Sequence, residues 1–132
     1  MTNSCVCGSK KDFEKCCAPF LNGSRWAKTP EQLMRSRYSA YALGGYGDYL
    51  LQTWFPATAK GLTGESLSQR SCDWIKLEIL DKSQKGDKGM VEFNAWFHSD
   101  TGDKDVLHEN SVFQRIDGLW LYVGGEVNSN PG

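Results

Sequence analysis

No apolar run in this sequence approaches the ~20 residues that cross a bilayer, and the N-terminus has no hydrophobic signal core. A cytoplasmic location is therefore expected. There is no phosphate loop, no dinucleotide fingerprint and no Ser-His-Asp ordering. Histidine is scarce: His98 and His108 are the two in the chain, neither has a partner at helical metal spacing, and both read as strand-surface or edge residues. Charge of one sign is also missing, since the net charge is -1. After residue 17 a single cysteine remains, Cys72, which reads as a partly buried small residue. No internal repeat is present.

What the body lacks in cysteine, the first turn of chain concentrates. Cys5-Val6-Cys7-Gly8-Ser9 is followed closely by Cys16-Cys17. Thiolates so spaced form a ready tetrahedral zinc site, and four protein ligands leave no open position for a catalytic water. Gly8 and Ser9 let the backbone turn after the first pair. Lys10, Lys11 and Lys15 set positive charge beside a centre whose formal charge would be about minus two, from Zn2+ and four thiolates. Phe13 gives the loop an apolar residue to fold over. A segment this short has almost no core, so metal binding would be its main folding free energy. Two other states of the thiols stay open: cross-paired disulfides between the groups, and unligated thiols. Iron also suits four thiolates.

The segment Cys5-x-Cys7-Gly8-Ser9-x-Lys11-x-Phe13-x-Lys15-Cys16-Cys17 resembles the SEC-C motif, the zinc-binding knuckle at the end of the preprotein translocase ATPase SecA. The motif ends in Cys or His, and Cys17 takes that place. The resemblance implies a docking surface for protein partners or ribosomes.

Residues 1–37 carry seven basic side chains against three acidic, a net +4, which leaves -5 for the remainder. A basic knuckle on an acidic body suits an acidic protein or an RNA backbone, with Phe13 and Trp26 as the aromatic residues near it. The plainer alternative is that the lysines only offset the thiolate charge.

Residues 18–29 read as a linker anchored by Phe20, Leu21 and Trp26. A helix is then predicted with Thr29 as N-cap, Pro30 at the first position and Gln32 completing a capping box. Met34, Tyr38, Tyr41 and Ala42 form its buried stripe, and Gly44-Gly45 stop it. Asp48 is expected to cap a second helix ended by Pro56, and Thr63 and Ser66 to cap a third. From Asp73 the period changes to two. Ile75, Leu77 and Ile79 alternate with polar residues, Lys82–Lys88 reads as a polar loop, and Val91, Phe93, Ala95 and Phe97 form the next strand. A long strand spans about Asp105 to Ile116, Asp117-Gly118 makes a tight hairpin, and Leu119, Leu121 and Val123 alternate with Trp120 and Tyr122 in the last strand. Asn128–Gly132 reads as a disordered tail. Helices followed by four antiparallel strands predict an α+β domain with helices packed on a curved sheet.

Leu33-Met34-Arg35-Ser36-Arg37-Tyr38-Ser39-Ala40-Tyr41, Thr53-Trp54, His108-Glu109-x-Ser111-x-Phe113 and Gly118-x-Trp120-x-Tyr122-x-x-Gly125 are similar to the bacterial YchJ family. The resemblance implies a nuclear transport factor 2-like cone over 23–132, behind a knuckle in 1–22. It carries no assigned biochemical role. Many family members have a second knuckle at the C-terminus, where this sequence reads Asn130-Pro131-Gly132, so a function needing two knuckles is not expected.

In such a cone the predicted pocket is lined by Arg35, Arg37, Tyr38, Tyr41, Trp54, Glu109, Ser111, Phe113, Trp120 and Tyr122. Leu107, Glu109, Ser111, Phe113 and Arg115 share a strand face, an unusually polar set for a core face. An Arg37–Glu109 pair across the hollow would satisfy two buried charges. Two readings follow. One is a zinc-binding adaptor, with Cys5, Cys7, Cys16 and Cys17 on the metal and Lys10, Lys11 and Lys15 facing a protein or ribosomal partner. The other is a small-molecule or enzymatic pocket, with Glu109 as acid or base and Arg37 orienting an anionic group. Plainer alternatives are a buried ion pair locking helix to sheet and aromatics that are simply core. A homodimer built on the outer face of the sheet is compatible with both.

Overall fold

The computed structural model describes residues 4–68, 73–99 and 101–129. Cys72 and residues 130–132 lie outside them. The chain opens with a knuckle: Ser4 bridges Asp12, and a single 3-10 turn covers Phe13–Lys15. Among the described residues four helices follow: α1 (Ala18–Leu21), α2 (Pro30–Leu43), α3 (Gly47–Gln52) and α4 (Gly64–Leu67). Four strands complete the fold: β1 (Asp73–Lys85), β2 (Lys88–His98), β3 (Lys104–Ile116) and β4 (Leu119–Ser129). They form one antiparallel meander in the order β1-β2-β3-β4. Among the described residues no helix is long and apolar enough to cross a membrane.

Helix α2 has the bounds its punctuation dictates. Thr29 Oγ1 accepts from the Gln32 amide at 3.1 Å, and Pro30 occupies the first turn. Gln32 returns the favour one residue further out than a capping box requires, accepting from the Lys28 amide at 2.8 Å. Gly44, at φ 75°, ends the helix.

Other expectations change. The linker holds a helical turn, α1, with Phe20 and Leu21 buried, whereas Trp26 is 48% exposed. Asp48 lies inside the first turn of α3, whose N-cap is Tyr46; the Gly47 amide is met instead by Ser68 Oγ at 2.8 Å. Thr63 and Ser66 do form a reciprocal capping box at α4. The polar stretch 82–88 is largely strand: β1 and β2 pair out to Lys85 and Lys88, and Gly86 turns at φ 60°. Strand β4 likewise runs through Asn128 and Ser129, which extend the ladder with His108 and Leu107.

Three register shifts bend the sheet, at Trp74/Lys76, Ile79/Asp81 and Val112/Phe113. A bulge inserts an unpaired residue, increases twist and re-aims neighbouring side chains. The first explains a correction to the predicted alternation. Ile75 is the extra residue and stands 40% exposed, while Trp74 packs against the core. Leu77, Val91, Phe93, Ala95, Phe113 and Trp120 form the buried concave face, against which α2 lies with Leu33, Met34 and Tyr38.

Candidate functional site

The knuckle brings four sulfurs together through its backbone turns. The Cys5 amide bonds to the Lys11 carbonyl at 2.8 Å, and Gly8 closes the first turn onto the Cys5 carbonyl at 3.1 Å. Gly8 has φ 82°, and a Cβ there would stand 3.3 Å from the Leu77 carbonyl, so strand β1 also requires a glycine. The Cys16 amide returns to Phe13 at 3.1 Å. As a result the Sγ atoms of Cys5, Cys7, Cys16 and Cys17 all lie within 4.8 Å of one another. Cys7 to Cys16 is 3.6 Å and Cys16 to Cys17 is 3.9 Å. A disulfide requires about 2.05 Å, and all four are free thiols. Four metal–sulfur bonds of about 2.3 Å in a tetrahedron give sulfur separations near 3.8 Å. The donor set therefore fits a metal ion that takes four soft ligands.

Partner groups hold this set in place. Ser9 Oγ is 3.1 Å from Cys16 Sγ, and Ser39 Oγ is 3.7 Å from Cys5 Sγ. Arg35 Nη1 donates to the Cys7 carbonyl at 2.8 Å and approaches the Cys7 sulfur at 4.0 Å. Its Nε donates to Glu31 at 2.9 Å, and Glu31 also pairs with Lys82 of β1. Burial pulls the Arg35 guanidinium down, but its bonds to Glu31 and Cys7 outweigh this and raise it. Within the cluster, bonds from Cys17 and Cys5 push Cys7 well below the ordinary thiol range, whereas bonds with Cys5 and Cys7, together with burial, hold Cys17 above it.

Beside the sulfurs runs a cleft of about 370 Å³. Lys11, Lys15, Arg25 and Arg35 supply four cations to its lining, against a single carboxylate, Glu31. Lys10 does not line it; that residue is exposed on a turn at φ 69°. Phe13 is partly buried against the core, so of the two aromatics near the knuckle Trp26 is the exposed one.

A second feature lies on the opposite side of α2. A cavity of about 200 Å³ separates the helix from the concave face of the sheet. Of the residues expected in a pocket, Arg37, Tyr38, Tyr41, Glu109, Ser111 and Tyr122 line it. Four do not. Arg35 is turned to the knuckle. Phe113 is fully buried under the cavity, its ring 5.8 Å from that of Tyr122. Trp120 is buried at the other end of the sheet, where Nε1 donates to the Lys28 carbonyl at 3.2 Å. Trp54 stands behind Arg37, placed there because Phe55 and Thr53 exchange backbone bonds with Tyr122 at 2.7 Å. Trp74, Met34, Phe93, Ala95 and Leu107 complete the walls. Trp74 is hidden from simple alternation by the bulge at Ile75. Met34, Phe93, Ala95 and Leu107 were legible as inward positions, but nothing marked them as cavity wall rather than solid core.

The expected direct Arg37–Glu109 pair is replaced by two separate arrangements. Arg37 Nη1 donates to the Leu50 carbonyl at 2.8 Å and to Thr53 Oγ1 at 2.7 Å. Its guanidinium carbon lies 4.8 Å from the Trp54 ring and 4.6 Å from that of Tyr122. Among the described residues it has no ion pair. Glu109 Oε2 accepts instead from the Ser111 hydroxyl and, at 3.1 Å, from Tyr122. Gly125, opposite Ser111 in the ladder, makes room for that carboxylate, since a Cβ there would come within 2.5 Å of Oε2. His108, on the other sheet face, pairs with Glu92 at 2.7 Å.

A four-sulfur knuckle packed on a helix-and-sheet cone defines a two-part class of protein. Residues 1–19 match the SEC-C motif, and residues 29–125 match the YchJ, middle NTF2-like domain. The chain belongs to the YchJ family. UPF0225 protein VP1145 of Vibrio parahaemolyticus is 42% identical over 129 residues, covering 95% of this chain and 75% of that protein. UPF0225 protein SCO1677 of Streptomyces coelicolor is 40% identical, covering 95% of this chain and 96% of its own length. The solution structure of RPA3114, a SEC-C motif containing protein from Rhodopseudomonas palustris, superposes with a TM-score of 0.85 at 39% identity, covering 96% of this chain and 98% of that one. A crystal structure of a putative calcium/calmodulin dependent protein kinase II association domain from Xanthomonas campestris shares the fold at a TM-score of 0.55 and 14% identity, covering 76% and 85% of the two chains.

Proposed function

We propose that this protein is a zinc-dependent adaptor of the cytoplasm. Cys5, Cys7, Cys16 and Cys17 hold Zn2+, and the basic cleft beside them docks an acidic surface of a protein or ribosomal partner. The carrying observation is that the four-sulfur cluster borders, through Cys16 and Cys17, a cleft lined by Lys11, Lys15, Arg25 and Arg35. Zinc supplies structure here, because four thiolates close its coordination shell. The chain's own residues do the recognising. Arg35 is held by Glu31 and the Cys7 carbonyl, so its cost of ordering is already met before a partner arrives. Lys11 and Lys15 are exposed cations that add attraction and speed encounter at low salt. Lys10 extends the same charge outside the cleft. Binding should therefore weaken steeply with ionic strength.

The test uses the full chain immobilised with its metal, in cell extract and against purified ribosomes, beside a Lys11→Glu/Lys15→Glu variant. The adaptor reading expects a partner that is retained by the wild type, lost from the variant, and released by chelation. A retained set that is identical for wild type, variant and chelated protein contradicts it.

A further inference from the structure

The cavity on the far side of α2 has a composition that defines its occupant. Its wall is mostly apolar, with the rings of Tyr38, Trp74 and Phe93. Tyr38 and Trp74 meet edge to face at 6.2 Å, which fixes two of those rings. Two opposite charges, Arg37 and Glu109, also line the cavity, and both meet Tyr122. Neither has its hydrogen-bonding capacity filled by the bonds described above. A guanidinium has five N–H donors, and Nη1 of Arg37 spends its protons on Leu50 and Thr53. A carboxylate accepts at about four lone-pair positions, and those of Glu109 Oε2 face Ser111 and Tyr122. Burial raises the hydroxyls of Tyr41 and Tyr122, so both remain protonated around neutral pH.

We propose that this cavity binds a small uncharged molecule: an aromatic or compact apolar body bearing one head group that both donates and accepts, such as a carboxamide or a phenol. Charge balance selects the head. Arg37 and Glu109 together sum to zero, so a ligand bringing a further charge into the cavity would leave one charge buried without compensation. A neutral donor–acceptor head meets the carboxylate and the guanidinium–tyrosine side at once. Volume selects the body. An apolar cavity of about 150 Å³ takes benzene, and this one, at about 200 Å³, adds room for one functional group. This site is independent of the metal centre and of the adaptor reading.

The experiment is an NMR titration of the full-length, metal-loaded chain with four matched probes: benzamide, benzoate, benzylammonium and toluene. Benzamide is expected to shift the Trp74 indole and the Ala95 and Ser111 amides saturably, with a Kd at least tenfold below those of the other three. Glu109→Gln keeps the acceptor for Ser111 and Tyr122 but leaves Arg37 unbalanced, so the ranking should change to benzoate over benzamide. A merely structural Glu109 would not produce that reversal. Ala95→Leu, which fills the cavity, should weaken benzamide at least tenfold. If Glu109→Gln does not fold, the wild-type ranking and Ala95→Leu decide. No saturable shift with any probe, a wild type that prefers either charged probe, or undiminished benzamide binding in Ala95→Leu would overturn the proposal.

Discussion

Residues 4–17 and the sheet beginning at Asp73 are held by different forces. Between Ser4 and Cys17 the buried side chains are Cys5, Cys7 and Cys17, and every other residue of that segment is at least partly exposed. Its interior is sulfur. The sheet, by contrast, buries Leu77, Val91, Phe93, Ala95, Phe113 and Trp120 against α2. Its stability comes from apolar area removed from water, at about 25 cal/mol per Å². Yet the two regions share helix α2, which turns Arg35 and Ser39 to the sulfurs and Arg37, Tyr38 and Tyr41 to the cavity. On the proposed reading the first segment depends on an ion for its order and the second does not, although both rest on the same helix.

The largest break in that comparison is removal of the metal. Structural zinc contributes on the order of 10 kcal/mol to small knuckles. Chelation, or Cys17→Ser, should collapse the amide dispersion of residues 4–17 in a two-dimensional NMR spectrum while the strand resonances persist. Phe113→Ala is the converse. It empties a fully buried position and should cost about 3–5 kcal/mol in urea unfolding, a loss borne by the sheet. A sharper comparison sets the two arginines against each other. Arg35→Gln should weaken metal affinity roughly tenfold, as removal of a group supporting a metal ligand does, measured by competition with a chromophoric chelator. Arg37→Gln should leave that affinity unchanged and destabilise the body by about 1–3 kcal/mol, because the Leu50 carbonyl and Thr53 lose their donor.

The smallest effect is one of pH. The hydrogen bond from Lys82 holds the Glu31 carboxyl below its ordinary value, with Arg35 adding to it against a modest burial penalty. A carboxyl lower in the folded state stabilises fully above its unfolded pKa, and that contribution disappears as pH falls through the folded value. The stability deficit of Glu31→Gln relative to wild type should therefore shrink, by under about 1 kcal/mol for a partly exposed pair, as pH falls from neutral to below the lowered Glu31 value. Urea midpoints of both proteins across that range are the measurement.

Local chemistry was legible in the sequence, and long-range placement was not. The Thr29-Pro30 start and Gly44 stop of α2 depend on neighbours within a few positions, so spacing alone dictates them. The four cysteines are similarly local. Arg35 and Arg37 show the limit. Both were expected in one pocket, but two residues on a helix are about 200° apart, and the separation sends one to each side. Which way each faces depends on Cys7, Leu50 and Thr53, all distant in sequence. The Arg37–Glu109 pair failed because each found other partners: Arg37 the Leu50 carbonyl and Thr53 hydroxyl at the end of α3, and Glu109 the hydroxyls of Ser111 on its own strand and Tyr122 on β4. Trp74 was obscured by a bulge, which a strict two-residue period does not contain.

Whether the four sulfurs hold a metal is decided by the metal content of natively purified protein, by elemental mass spectrometry with thiols counted before and after chelation. One zinc per chain, with four further thiols becoming reactive when the chelator is added, is the predicted result. Protein without metal, whose cysteines react identically with and without chelator, would contradict it.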